Sequence, residues 1–313
     1  MADSTADRDS LTRFLIERAG VRGVRVHLDE AWAQIRERAD AASAQAPPAA
    51  VMELLGEATA AAALFTAHAK VEGRLSVQMR GDGALRTLFA ECTAAGTVRA
   101  IAQLADGDDS PEAAVVSRDL RDLGPDALLA ITVENPGNAH REPMRYQGLV
   151  ALQSDSLSGA FEDYFRQSEQ LPTRLLLAAD GERAAGLMLQ KLPHDEGDED
   201  GWTRAGALFD TLGPLELLEL PAATLLQRLF HEDGVQILDS KPLSFECSCS
   251  RERVAAMLQS LGEEEAMAAA AERGGEAEIR CEFCGRRYCF EVSELNVLFT
   301  DFGRSMAPPA RLQ

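Results

Sequence analysis

The chain has 313 residues, 46% of them apolar, and a formal net charge of −20 at pH 7, enough for a large domain and a smaller one beside it. That acidity argues against a nucleic-acid partner, which calls for a basic footprint, and no run reaches the roughly 18 apolar residues of a membrane-spanning helix. The start, Met1-Ala2-Asp3-Ser4-Thr5-Ala6-Asp7, has neither a basic stretch nor an apolar run, so the expectation is a protein of the cytoplasm with no membrane partner.

Residues 1–193 read as one mixed domain. The spacing of Ala31, Trp32, Ile35 and Ala39 predicts a helix over 29–42. After the Pro47-Pro48 break, 51–70 predicts a second, buried helix whose alanines permit close approach to a sheet. Alternation predicts a strand over 74–79, with Leu75, Val77 and Met79 on one face, and Gly81-Asp82-Gly83 turns the chain into a strand over 85–90. That turn is no phosphate loop, because no Lys-Ser or Lys-Thr follows it. Short strands are expected at 98–103, 127–134, 146–151 and 175–179, and helices at 111–122 and 157–166. Gln167-Ser168-Glu169-Gln170 reads as a helix end and not as a catalytic group. Hairpins mixed with helices make this an α+β fold, with antiparallel sheets and packed helices, and not a doubly wound one.

A linker is expected over 194–240. It opens with the acidic stretch Asp195-Glu196-Gly197-Asp198-Glu199-Asp200 and continues as a short helix over 214–220. A second helix begins at Pro221, places Leu225, Leu226, Leu229 and Phe230 on one face, and stops at Gly234. Helices this short are unstable alone and must pack on something. The remainder, 241–313, is a small C-terminal domain with helices over 254–261 and 263–273 and a Gly274-Gly275 turn. Glu263-Glu264-Glu265 is a solvated helix start.

Five of the six cysteines fall in that last domain; Cys92 stands alone upstream, as a core residue. Cys247-Ser248-Cys249 and Cys281-Glu282-Phe283-Cys284 are two close pairs, the pattern of a tetrahedral four-thiolate zinc site. Residues i and i+2 of an extended segment face one side, so Cys247 and Cys249 reach one ion together. The second pair, followed by Gly285, matches a zinc knuckle. The same spacing also allows each pair to close on itself as a disulfide. Four cysteines leave no open position for substrate, and His231 is the nearest histidine, so no catalytic residue and no enzyme are expected. Cys289, in Tyr288-Cys289-Phe290, points away from both aromatics; it is either a small packed residue or an auxiliary thiol. Arg251, Arg253, Arg280, Arg286 and Arg287 lie near the pairs but alternate with Glu252, Glu278 and Glu282, so no positive face results. From these residues alone, one reading is a constitutive, zinc-stabilised protein-interaction module.

The blocks Leu225-Leu226-Gln227-Arg228-Leu229-Phe230-His231-Glu232-Asp233-Gly234, Phe245-Glu246-Cys247-Ser248-Cys249-Ser250-Arg251-Glu252-Arg253-Val254 and Cys281-Glu282-Phe283-Cys284 closely resemble the heat shock protein 33 family of redox-regulated chaperones. Upstream, Leu54-Leu55-Gly56-Glu57, Gly73-Arg74-Leu75-Ser76-Val77-Gln78, Tyr146-Gln147-Gly148 and the run from Tyr164 to Thr173 look like further blocks of that family, in order. The resemblance implies an ATP-independent holdase that is inactive while reduced and zinc-bound. It implies that peroxide with heat, or hypochlorite, forms the disulfides Cys247-Cys249 and Cys281-Cys284, that zinc leaves, and that the C-terminal unit and linker unfold. Unfolding client proteins are then held on an exposed apolar face, by analogy Leu217, Leu218, Leu225, Leu226, Leu229 and Phe230, commonly by a homodimer.

Overall fold

The computed structural model describes residues 8–42, 46–69, 71–105, 117–137, 142–150, 152–193, 198 and 200–306. They form two compact units, Met1–Glu246 and Cys247–Gln313. In chain order the first unit runs β1 (Ser10–Ile16), β2 (Val21–Leu28), α1 (Glu30–Ala42), α2 (Ala49–His68), β3 (Arg74–Arg80), β4 (Leu85–Thr93), β5 (Thr97–Leu104), β6 (Leu128–Asn135) and β7 (Met144–Val150). It continues with α3 (Leu157–Tyr164), β8 (Thr173–Ala179), β9 (Ala184–Lys191), α4 (Gly201–Phe209), α5 (Pro214–Glu219), α6 (Ala222–Phe230), β10 (Val235–Pro242) and β11 (Ser244–Phe245).

One sheet has the order β10-β1-β2-β9-β8, antiparallel throughout; the other has the order β11-β5-β4-β3-β6-β7, in which only the short β11 runs parallel to its neighbour. Helix α2 lies between them, touching β2, β8 and β9 of the first sheet and β3, β4 and β5 of the second. A helix covered on all sides needs apolar residues all round, and Val51 to Thr66 is buried at nearly every position. By length and composition α2 is apolar enough to cross a membrane, and its burial inside the unit is the reason for that composition. Gly56 marks the closest approach: a Cβ there would lie 2.5 Å from Ala179 Cβ and 3.2 Å from Ala184 Cβ. Besides Thr59 and Thr66, a carboxylate enters this core. Glu57 is buried and accepts from Arg118, which also reaches Glu53.

The α+β expectation and the main elements hold, with differences that follow from packing. Strands β1, β2, β9 and β10 have no counterpart in the sequence reading. The helix expected over 111–122 lies largely outside the described residues, and its described end is a 3₁₀ turn, Leu120–Leu123. Residues 165–169 continue α3 as a π-helical turn that ends with Gln170 at φ 56°. The compact units divide after Glu246, six residues later than the boundary expected after 240. The segment expected as a linker is therefore part of the first unit: α4 to α6 form a layer on the free face of the first sheet, and β10 pairs with β1 from Val235 to Pro242.

The second unit consists of α7 (Arg251–Leu261), α8 (Glu263–Glu272), β12 (Glu276–Arg280), β13 (Arg287–Glu291) and α9 (Val292–Met306). Ser250 caps α7, its Oγ accepting from Arg253 N at 3.3 Å. Gly274 and Gly275, both at positive φ, turn the chain from α8 into the β12–β13 hairpin. The buried core is small: Val254, Leu258, Ala266, Ala270, Ala277, Tyr288, Phe290, Leu295 and Phe299.

Candidate metal centre and the helical layer

The two cysteine pairs are presented by two different local devices. Cys247 and Cys249 lie on the extended stretch before α7, braced by Arg253, whose Nη1 donates to Ser248 O at 2.8 Å. Cys281 and Cys284 lie on the tight turn between β12 and β13. There Cys281 N donates to Arg286 O at 2.8 Å and Gly285 N to Cys281 O at 2.8 Å. Gly285, at φ 70°, takes the left-handed conformation that closes such a turn.

These devices bring all four sulfurs within 4.8 Å of one another. Cys247 Sγ lies 3.6 Å from Cys281 Sγ, and Cys249 Sγ lies 3.3 Å from Cys284 Sγ. A tetrahedral zinc–thiolate site, with bonds of about 2.3 Å, has sulfur–sulfur edges of about 3.8 Å. The donor set and its spacing therefore fit zinc, and a four-sulfur shell has no place for substrate. Cys289 is not one of the converging sulfurs. On β13 it faces away from Tyr288 and Phe290, as expected, and its thiol is raised by a bond to Glu276, with burial and the Glu278 charge adding. Cys92 is a core residue, and burial pushes its thiol up to about 12.

Without a cation the sulfurs of Cys247, Cys249 and Cys284 do not ionise alike. Burial pushes Cys247 up to about 12 and raises Cys284. Burial also acts on Cys249, but hydrogen bonds from Tyr288 and from the neighbouring sulfurs outweigh it and bring Cys249 down to about 7. Among these three, Cys249 is the first to become a thiolate, and a bound cation would favour the ionised form of each. Tyr288, buried in the unit's core, donates from Oη to Cys249 Sγ at 3.0 Å. Arg286 in turn bonds the Tyr288 hydroxyl and adds positive charge beside Cys249 and Cys284. The sequence places Arg286 among the arginines near the pairs and Tyr288 on the strand of Cys289, but it assigns neither a bond at the cluster. The available signal was an aromatic four residues past a cysteine knuckle, on an alternating strand.

The six apolar residues expected to meet clients lie together in the first unit. Leu217, Leu218, Leu225, Leu226, Leu229 and Phe230 are all buried, in one cluster with Phe14, Ile16, Val21, Leu187 and Leu189 of the first sheet. Polar groups hold the layer at its ends. His27 Nε2 lies 2.9 Å from Leu218 O, and Arg25 donates to Leu220 O at the end of α5. Arg204 of α4 pairs with the buried Asp233 just beyond α6, with Nε 2.9 Å from Oδ1.

Comparison with known proteins agrees with this architecture. The family model "Hsp33 protein" matches residues 9–291. The "33 kDa chaperonin" of Ectopseudomonas mendocina is 41% identical over 305 residues, 96% of this chain and 98% of the relative. That of Chromobacterium violaceum is 41% identical over 292 residues, 93% of this chain and 94% of the relative. The crystal structure of the 33 kDa chaperonin from Thermotoga maritima shares the fold, with a TM-score of 0.74 and 21% identity over 95% of this chain and 99% of that one. A match of this extent leaves one assignment: the chain belongs to the Hsp33 family, whose members are named as chaperonins and not as enzymes.

Proposed function

We propose that the protein is a cytoplasmic, ATP-independent holdase that oxidation switches on. In the reduced state Cys247, Cys249, Cys281 and Cys284 hold one zinc ion as thiolates. The ion supplies stability that the small core of the second unit lacks: structural zinc contributes about 10–16 kcal/mol of apparent free energy, against roughly 3–5 kcal/mol from the core of so small a unit. Oxidant joins Cys247 to Cys249 and Cys281 to Cys284, and no ligand remains for the ion. The second unit and the segment 194–240 then unfold. Leu217, Leu218, Leu225, Leu226, Leu229 and Phe230, set free from the first sheet, bind apolar stretches of unfolding clients, with a homodimer as the working form.

The observation that carries this reading is the convergence of four sulfurs within 4.8 Å, on a unit whose core is too small to stand alone. The burial of all six client-face candidates supports it, since a surface hidden in the reduced state is what a switch requires. The test is peroxide with mild heat on reduced, zinc-loaded protein. Zinc is followed with a chromogenic chelator, and light scattering of a thermally unfolding client is read on the same sample. Release of one zinc per chain should rise together with suppression of aggregation. Equal suppression by the reduced, zinc-loaded protein refutes the switch and leaves a constitutive interaction module.

A further inference from the structure

Among the described hydrogen bonds of the sulfur cluster, that from the Tyr288 hydroxyl, 3.0 Å from Cys249 Sγ, comes from a side chain outside the four cysteines. Cys247 and Cys284 take bonds from the backbone amides of Cys249 and Arg286, which belong to the turns themselves. The Tyr288 bond is of another kind. It joins residues 39 apart, and it comes from a ring in the buried core, in one cluster with Val254, Leu258 and Phe290. Arg286 bonds the same hydroxyl from the other side and makes it a better donor.

We propose that Tyr288 is a positioning residue that holds Cys249 in its ligand role and slows the attack of that sulfur on peroxide, so that one hydroxyl helps set the oxidant threshold. The proposal rests on the redox reading above. When Cys249 attacks, a sulfur lone pair forms an S–O bond to one peroxide oxygen, the O–O bond breaks, and hydroxide leaves with the bonding pair. Sulfur is oxidised to the sulfenic acid and peroxide is reduced. A thiolate of a neighbouring cysteine then displaces a second hydroxide to form the disulfide. For the whole cluster, four thiolates and two peroxide molecules give two disulfides and four hydroxide ions. A lone pair engaged by the Tyr288 proton is less available for the first of these events. Thiolate nucleophilicity follows basicity with a coefficient of about 0.4–0.5, so a bond that lowers sulfur basicity about tenfold slows attack about threefold. Partners of metal ligands typically support affinity by about 10–100-fold as well.

Tyr288→Phe removes the hydroxyl and keeps the ring. In the zinc-loaded, reduced variant we expect peroxide to release zinc about threefold faster than in wild type. Without oxidant, a competing chelator should extract zinc with about 10–100-fold higher apparent affinity relative to the protein. A looser fold alone mimics faster release, so a third readout is needed. In the cobalt-substituted protein, loss of the bond should move the sulfur-to-cobalt charge-transfer band to lower energy, which packing defects do not do. An unmoved band with unchanged release overturns the proposal. Should Tyr288→Phe fail to fold, Arg286→Met leaves ring and hydroxyl in place and should move the band the same way by a smaller amount; an unmoved band there overturns it too. The cobalt spectrum requires no oxidant. A wild type that binds metal but keeps it in peroxide therefore sinks the switch while the band still decides the Tyr288 bond.

Discussion

Glu57 offers a sharp test of how the first unit is held together. Its carboxylate is only 6% exposed on α2, whereas its partner Arg118 is 46% exposed and shared with Glu53. Burial, opposed by Arg118, raises the carboxyl from its ordinary 4.5 to about 7. The folded state therefore holds the proton more tightly than the unfolded chain. The contribution of this group to stability is fully present below pH about 4.5 and is lost as pH rises through about 7. At 1.36 kcal/mol per unit, the loss at pH 8 is about 3 kcal/mol. Glu57→Gln cannot ionise and keeps an acceptor for Arg118. Its stability relative to wild type should rise by about 1 kcal/mol per pH unit between pH 5 and 7 and level off near 3 kcal/mol above pH 7.5. Urea unfolding of the zinc-loaded protein, followed by tryptophan fluorescence, measures this directly. Trp32 is fully buried, and its ring packs at Gly56, one residue from the perturbation. A variant less stable than wild type at pH 8, or a difference that is flat across this range, would show that the ion pair outweighs burial.

Four further outcomes follow from the same structure. Phe230→Ala removes a fully buried ring from the helical layer and should cost about 3–5 kcal/mol there, read as faster trypsin cleavage at Arg204 and Arg228 with α2 unaffected. Chelation of zinc should abolish amide protection in α7, α8 and α9; protection retained without metal means that the small core suffices. Iodoacetamide on native, zinc-loaded protein should label Cys289 and spare Cys92, whose thiol is buried and pushed up to about 12, and equal labelling rates contradict the burial assigned to Cys92. Amides of α4, α5 and α6 should exchange faster than those of α2, because short helices over one sheet face open at lower cost than a helix held between two sheets.

The parts of the fold legible in the sequence are those with one dominant environment. Helix α2 reads at once, since an alanine-rich apolar run is what a helix enclosed by two sheets requires. Strand β3 reads because Leu75, Val77 and Met79 face the core while Ser76 and Gln78 face outward. Burial does not alternate along β2 and β9, because both of their faces are covered: Arg25 and His27 of β2 are buried like Val24, Val26 and Leu28. Val24, Val26 and Leu28 join the cluster around α2, while Val21 joins the cluster under α4 to α6, and Arg25 and His27 reach carbonyls of α5. Burial on both faces of one strand means that alternation no longer marks which face meets the core. Strand β10 fails for the opposite reason. It is an edge strand with exposed Ile237 and Leu238, held chiefly by backbone pairing to β1, and backbone pairing leaves no side-chain pattern.

The metal centre divides in the same way. Each cysteine pair is a local object, set by a stretch of a few residues or a tight turn, so spacing alone reveals it. The bond from Tyr288 to Cys249 is set by the hairpin, by α7 and by the core packed between them, none of which spacing encodes. The consequence for function is specific. Residues that create a zinc site can be read from a sequence, but residues that set how readily it opens belong to the tertiary fold. In this unit the two are joined through one ring, since Tyr288 is a core residue and a partner of a ligand at once. Loss of core packing must then disturb the sulfur, and loss of the sulfur's bond leaves the Tyr288 hydroxyl with Arg286 alone. If the cluster holds an ion, core and cluster are expected to open together, because the same ring serves both.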